Sequence, residues 1–400
     1  MRVIIIGNGL AGTISSKTLR ELDQKLEIDV FAEEKHHYYP RPNLIEFVAG
    51  NIPQERIFAF PGNWHQRQKI SIHLENPVKR ILASSQEVEV GEGKREKYDF
   101  LLIANGSSAF VPPIKGAEKA GVFTLRTLDD AFHILEYLEN HRQVAVIGGG
   151  LLGLEIARAI RAKGADVEVI EFFDRLLPRQ LDVQGASLLK AQIEKMKIKI
   201  RLKSATEEIL GQKEVKGLRF KDGTQVKRDM VVVAAGVRPN TSLAKEASLE
   251  TDRGLIVNEY LQASHPKIFA AGDCIQHSGR VYGIIPASFD QARIAASNII
   301  GEQRKYRGTV PSNTLKIVGL YVTSVGLVNP EGEEFEEIQI ENKEDGIYKK
   351  IVLHNGNLVG AIWIGTKKGV TEISRAVTEK QNVTKWKESL LKDNFDFSLL

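Results

Sequence analysis

The sequence predicts an α/β protein with two doubly wound, parallel-sheet units and a smaller α+β unit at its C-terminal end. Three observations carry this. Two strand–glycine turn–helix–strand segments, at 2–33 and 143–171, stand far enough apart to nucleate separate sheets; strand patterns on either side of the second suggest that it interrupts the first unit; beyond residue 308 the pattern changes to alternating strands. The 400 residues exceed the roughly 250–300 at which a single core stops growing, so several domains are expected. An apolar share of 42% and a charged share of 26% exclude disordered and collagen-like classes.

The first segment opens with a buried strand, Val3 to Ile6, continues through a glycine turn into a helix from about Ala11 to Leu22, and ends in a strand from about Ile28 to Ala32 followed by Glu33 and Glu34. A further strand, Phe100 to Ala104, is followed by Pro112-Pro113, a crossover signal. The second segment repeats the design: strand Gln143 to Ile147, turn Gly148 to Gly150, a helix to about Lys163 stopped by Gly164, and strand Asp166 to Ile170 before Glu171. Asp222-Gly223 lies between strand-like runs and predicts a hairpin. The strand Met230 to Ala235 precedes Arg238-Pro239-Asn240, the return crossover. After the linker at 307–312, short strands with a hairpin at His354 to Asn357 give way to helix-like stretches past Gly369. The run Glu331 to Glu337 reads as a solvated loop. The expected division is therefore 1–112 with 241–308, 113–240, and 309–400.

Charge and cysteine content narrow the chemistry. The net charge of +4, with no block of five like charges, does not suggest nucleic acid. Residues 309–400 hold 11 Lys or Arg and 13 Asp or Glu, net −2, which leaves +6 on 1–308 and suits an acidic partner. No apolar run approaches the ~18 residues of a membrane span, and the chain begins on a strand pattern, so a soluble, cytoplasmic protein without a membrane partner is expected. The one cysteine, Cys274, excludes an internal disulfide and a Cys-x-x-Cys pair. The nine histidines are scattered, so no metal site is expected.

Gly7-Asn8-Gly9-Leu10-Ala11-Gly12 satisfies G-x-G-x-x-G. The first glycine makes the turn, the second admits a pyrophosphate to the backbone, and the third lets helix and strand pack closely. Glu33, 21 residues after Gly12, ends the next strand, where a carboxylate accepts from ribose hydroxyls. Gly148-Gly149-Gly150-Leu151-Leu152-Gly153 repeats the pattern, with Glu171 18 residues beyond Gly153. An acid there favours free 2′- and 3′-hydroxyls, hence NADH over NADPH, although Arg175 lies close by in sequence. Two such units suggest one dinucleotide that donates a hydride and one that receives it, the simplest division being FAD first and NADH second.

Together with Leu101 to Gly106, Ala235-Gly236-Val237-Arg238-Pro239-Asn240 and Ile268 to Asp273, these turns resemble the two-dinucleotide-binding-domain flavoproteins, the pyridine nucleotide-disulfide oxidoreductases, over about residues 1–305. Asn105 departs from the family's usual Thr. The resemblance implies two Rossmann-like domains binding FAD and NAD(H), with a C-terminal interface domain. It places Gly272 and Asp273 at the flavin's ribityl and phosphate region and Glu155 near the nicotinamide amide, as the catalytic residue. Further FAD and nucleotide contacts implied are Leu10, Ala11, Gly12, Glu34, Val78, Ala104 and Gly106, with Leu152, Gly153, Gly236 and Ala287. Tyr39-Pro40-Arg41-Pro42 resembles the rubredoxin, ferredoxin and nitrite reductase subgroup, in which Arg41 would touch FAD. Several relatives carry Lys where this chain has Glu46, so Glu46 and Glu155 would repel unless a cation intervenes or the register differs.

Relatives that work through sulfur need a cysteine near Pro42 or Asn43, and none is there. The resemblance, including Asn313 to Gly319 in the last unit, therefore implies electron transfer from NADH through FAD to a small redox protein of rubredoxin or ferredoxin type, by a monomer or homodimer. NADH oxidase activity, a role in a nitrite reductase-like system, and a flavin-dependent interaction protein like apoptosis-inducing factor remain alternatives.

Overall fold

We describe residues 1–317, 320–342 and 344–400 of the chain in a computed structural model, leaving aside the side chains of 313–317. The quoted segment Asn313 to Gly319 thus lies largely outside the described residues: 318 and 319 entirely, 313–317 in their side chains.

Continuous apolar runs, buried on both faces, are what parallel strands covered by helices require. Arg2–Ile6, Glu27–Phe31, Phe100–Ile103 and Ile268–Ala270 are largely apolar, buried runs of this kind and form one parallel sheet, with Arg2–Ile6 in the middle, Glu27–Phe31 on one side and Phe100–Ile103 on the other; the short, partly exposed strand Ser71–His73 joins at the edge beside Glu27–Phe31. The strand Ile268–Ala270, far away in sequence, closes the edge beside Phe100–Ile103. Val3, Ile4, Ile5, Leu101 and Leu102 are fully buried in its core. At roughly 1.5–3 kcal/mol for each fully buried aliphatic side chain, this strip anchors the unit. The helices Leu10–Leu22 and Ile285–Ile299 pack together over it.

The second parallel sheet runs Ile198–Arg201, Asp166–Ile170, Gln143–Ile147, Met230–Val233, Val122–Phe123. It is covered by the helices Leu128–Leu138, Leu151–Ala162 and Val183–Lys195. The two units are joined by a ribbon in which Ser107–Ala109 pairs antiparallel with Val237–Pro239; Pro239 lies within it and Pro112-Pro113 follow its first strand in sequence. The Asp222-Gly223 turn connects paired strands Gly217–Phe220 and Gln225–Lys227.

The C-terminal unit is an antiparallel sheet in the order Ser312–Ile317, Leu320–Gly326, Asn357–Ile364, Ile347–His354, Phe335–Asn342. Strand alternation divides its side chains. Trp363, Ile351, Leu358 and Ala361 face the helix Val370–Thr378 and the C-terminal segment, whereas Tyr348, Ile362 and Ile364 join the core of the second unit. The acidic run does not form a loop throughout: Phe335, Glu336 and Glu337 begin the edge strand Phe335–Asn342. The correction has a physical reason, because Phe335 packs on His354 while Glu336 pairs with Lys387 and Glu337 with the buried Lys350. Charges along such an edge also discourage pairing with another chain. Among the described residues, no helix is long and apolar enough to cross a membrane.

Candidate functional site

The two glycine turns have the same local geometry. Gly7 and Gly148 both adopt positive φ, 104° and 121°, and a Cβ at either would stand 2.4 Å from the carbonyl oxygen of the adjacent strand end, Ala104 or Ala234. Only glycine meets both demands. A Cβ at Gly12 would lie 1.9 Å from the Gly7 carbonyl oxygen, and one at Gly153 would lie 1.9 Å from that of Gly148. Gly9 and Gly150 differ from these, because a Cβ at either meets nothing within 4 Å. Each is the extended N-cap of its helix, and neither Leu10–Leu22 nor Leu151–Ala162 has a side-chain cap. Free N–H groups and the positive end of the helix dipole therefore border open space at both turns, as a pyrophosphate requires.

Around the first turn, Ala11 touches Gly272: a Cβ at Gly272, whose φ is 92°, would be 2.9 Å from that of Ala11. The Gly272 N–H donates to Gln291 of the helix that also carries the buried Ala287. Asp273 accepts from Ser107 Oγ at 2.9 Å and from Arg126 Nη2 at 3.2 Å. Gly106, with positive φ, lies beside the same guanidinium. Glu33 is exposed at the strand end; Val78 is buried at the start of the strand Val78–Leu82, two residues after Asn76, whose N–H donates to the Ala32 carbonyl. Glu34 accepts from Arg41 Nη2 at 2.8 Å and from the Tyr39 hydroxyl, and Arg41 also donates to the Arg126 carbonyl. Burial, reinforced by Arg41, pulls the Arg126 pKa below its ordinary value against the opposing pull of Asp273 and Glu34. Two guanidinium groups thus crowd one cleft.

The sequence reading gives no site role to Arg126 or Ser107, and Tyr39 enters it only as part of the Tyr39-Pro40-Arg41-Pro42 motif. Arg126 precedes the N-cap Thr127 of Leu128–Leu138, whose capping box with Asp130 is visible as T-x-x-D, but nothing local shows that the arginine turns toward Asp273. Asn8 Nδ2 and Asn105 Oδ1 are buried without a hydrogen-bond partner among the described residues, next to the first turn. A donor and an acceptor left unpaired at a ligand cradle fit a polar ligand there.

At the second turn Glu171 departs from the simple expectation. Its carboxylate is buried and accepts from the Gly149 N–H at 2.5 Å and the Phe173 N–H at 2.8 Å, so it braces the turn as well as ending its strand. Leu152 is half-buried in the first helical turn, and Gly236 has a φ of 104° with open space around it. Glu155 lies on the helix Leu151–Ala162, half-buried; its pKa is raised by burial and by Glu46, with Arg158 opposing. The intervening cation is Arg158, whose Nη2 lies 2.8 Å from Glu46, whereas Arg41 is engaged with Glu34. Glu46 therefore belongs near Glu155 without facing it as an unopposed charge.

Cys274 is fully buried, its thiol donating to the carbonyls of Ile103 and Ala271, and burial pushes its pKa up to about 12. His36 pairs with Asp129, and His37 stacks on His65. Among the described residues no group of three or more His, Cys, Asp or Glu is placed to hold a metal.

Two Rossmann-like units with equivalent glycine cradles, joined by a two-stranded ribbon, define a two-domain dinucleotide oxidoreductase fold. The chain belongs to the pyridine nucleotide-disulphide oxidoreductase family, whose profile matches residues 1–296, and residues 311–381 match the rubredoxin NAD+ reductase C-terminal domain. Membership implies FAD and NAD(H), which the uncapped turns and the unpaired amide atoms of Asn8 and Asn105 fit. The chain is 38% identical to a nitrite reductase [NAD(P)H] of Bacillus subtilis over 91% of its own length and 45% of the relative's. It is 34% identical to an NADH oxidase of Methanocaldococcus jannaschii, with 82% and 76% covered. The solved NADH:rubredoxin oxidoreductase of Clostridium acetobutylicum superposes with a TM-score of 0.81 at 27% identity, covering 95% of this chain and 96% of that one. The chain spans about half the length of the first curated relatives it matches.

Proposed function

We propose that the protein is an FAD-dependent NADH oxidoreductase that passes electrons to a small one-electron carrier of rubredoxin or ferredoxin type, with no cysteine relay. FAD would be held by Gly7, Gly9, Gly12, Glu33, Arg41, Gly272 and Asp273, and NADH by Gly148, Gly150, Gly153 and Glu171. When bound, FAD supplies acceptance of a hydride and release of electrons singly. The residues' task is orientation: the glycines admit the pyrophosphates, Asp273 and Arg126 fix the polar wall of the first cleft, and Glu155 stands in the helix that begins at the nucleotide turn. The observation that carries the reading is Cys274, the chain's one thiol, locked protonated behind the strand ends with both contacts to backbone carbonyls. Thiolate chemistry needs the opposite surroundings, an exposed and electropositive site.

Kinship at 38% identity with half of a nitrite reductase supports a second reading, in which the acceptor is a redox centre of a larger nitrite-reducing assembly. Anaerobic mixing of the flavin-loaded protein with NADH or NADPH, then with rubredoxin, ferredoxin or oxygen, tests both. Bleaching of the flavin by NADH followed by rapid reoxidation by rubredoxin or ferredoxin supports the first. Bleaching without transfer to either carrier counts against it and favours the second.

A further inference from the structure

The loop leaving the second nucleotide strand is held from two sides. On one side it is bonded to the glycine turn: Glu171 accepts from the Gly149 N–H, and the Leu177 N–H donates to the Gly149 carbonyl at 3.1 Å. Leu176 packs there too, since a Cβ on Gly149 would stand 2.7 Å from its Cδ2. Leu177 itself adopts positive φ, 49°, a conformation that a branched side chain takes only when its surroundings impose it. Arg175 closes the loop internally by donating to the Pro178 carbonyl.

On the other side the same loop is gripped by the C-terminal unit. Asn329 Nδ2 donates to the carbonyls of Pro178 and Leu181, at 3.3 and 3.2 Å. Asp182, which caps the helix Val183–Lys195 by accepting from the Gly185 N–H at 2.9 Å, also accepts from the Tyr348 hydroxyl at 2.5 Å and lies 3.2 Å from Lys350 Nζ. Lys350 is 4% exposed. A Cβ at Gly185 would be 3.2 Å from Ile364 and 3.3 Å from Tyr348, so the sheet lies directly on the helix's first turn. Lys350 also pairs with Glu337 and the Tyr348 hydroxyl also meets Gln339 Oε1 at 2.9 Å, so Asp182 is tied through them to the edge strand, and removing one partner from this buried, charge-assisted cluster costs its neighbours a bond.

We propose that the C-terminal unit, through Asn329, Tyr348 and Lys350, holds the 172–182 loop in the conformation that presents Gly149, Gly150 and Glu171 to the nucleotide, making these three positioning residues for NADH binding. The inference rests on reading the Gly148 turn as the nicotinamide dinucleotide site. It gives the last unit a function toward the electron donor in addition to any contact with the acceptor. A bound carrier that shifted this sheet would change NADH affinity, and NADH would change carrier affinity by the same factor.

The test uses the full-length, FAD-loaded protein and the variants Tyr348→Phe and Asn329→Leu. Each is expected to raise the NADH dissociation constant, measured anaerobically, by about 2- to 30-fold, with the flavin spectrum and FAD retention unchanged. Amide hydrogen exchange across 172–182 should accelerate in both, while exchange at 7–12 stays as in the parent protein. Parent protein that binds neither NADH nor NADPH would sink the reading of the site itself. Parent protein that binds NADH, with both variants binding it equally well, would overturn the positioning role alone.

Discussion

The two turns contain glycines of two kinds, and substitution should separate them. At Gly12 an added methyl would stand 1.9 Å from the Gly7 carbonyl oxygen, where real Cβ contacts hardly ever fall below 3.0 Å, so helix and turn must part by about 1 Å. Overpacking of that kind costs about 1–3 kcal/mol or more. Gly9→Ala meets no protein atom, and φ is −78°, which alanine adopts freely. Alanine is a poorer N-cap than glycine, but it also lowers the entropy of the unfolded chain by about 0.4–1 kcal/mol, and the two effects roughly cancel. Apo-protein stability is therefore expected to change by no more than about 0.5 kcal/mol in Gly9→Ala and to fall by about 3 kcal/mol in Gly12→Ala. FAD affinity should behave differently, because the Gly9 methyl would occupy the space left for the pyrophosphate and weaken binding by roughly 10- to 100-fold. Urea unfolding of the apo-proteins and fluorimetric FAD titration read the two quantities separately. Full FAD affinity in Gly9→Ala, or a stability loss equal to that of Gly12→Ala, would refute the division of roles.

The remaining predictions address charge and sulfur. Glu171→Arg should move nucleotide preference from NADH toward NADPH, and because it also abandons the Gly149 and Phe173 N–H groups it should lower stability by about 1–3 kcal/mol; paired dissociation constants for the two nucleotides and a melting curve check both parts. His65, buried against Trp64 and His37, has its pKa lowered to about 4 by burial first and His37 second, against 6.5 ordinarily. Below 6.5 the unfolded chain takes the proton first, so stability present above that pH is lost as the pH falls toward 4, by about 1–2 kcal/mol after allowing for solvent screening. His65→Phe should flatten that slope in denaturant titrations between pH 7 and 4, and an unaltered slope would assign it to other groups. Cys274→Ser should retain FAD and full electron transfer to one-electron acceptors; lost turnover with FAD still bound would return sulfur to the chemistry.

What was legible from sequence follows from how each feature is encoded. The strands around Ile4, Ile5 and Val146, the two glycine turns and the Asp222-Gly223 and Asn355-Gly356 hairpins are specified by neighbours within about six residues, through backbone sterics and turn conformation. Ile268–Ala270, an apolar run of the kind a buried strand needs, joins the first sheet beside Phe100–Ile103. The Arg126–Ser107–Asp273 contacts were not legible, because their partners lie up to 166 residues apart and no local pattern records which way a guanidinium turns. The same limit made the acidic run 331–337 look like a loop: its pairing partners, Lys350 and Lys387, are on other elements.

Glu46 shows how a departure seen in sequence can be resolved by a residue elsewhere. A carboxylate replacing the lysine of several relatives looked like repulsion beside Glu155, because only one half of the exchange was visible. In the fold, the helix Asn43–Ala49 packs on Leu151–Ala162, and Arg158, three residues after Glu155 and so on the same helical face, meets Glu46 at 2.8 Å. The cation has changed helices while the ion pair still bridges the two units. Arg158 Nη2 thus answers Glu46 directly, and its charge holds back the rise in the Glu155 pKa that burial and Glu46 produce. A bridge of this kind depends on the packing of both helices, so a one-turn slip of either would leave three half-buried charges unmatched, and that penalty helps to fix how the first and second units meet.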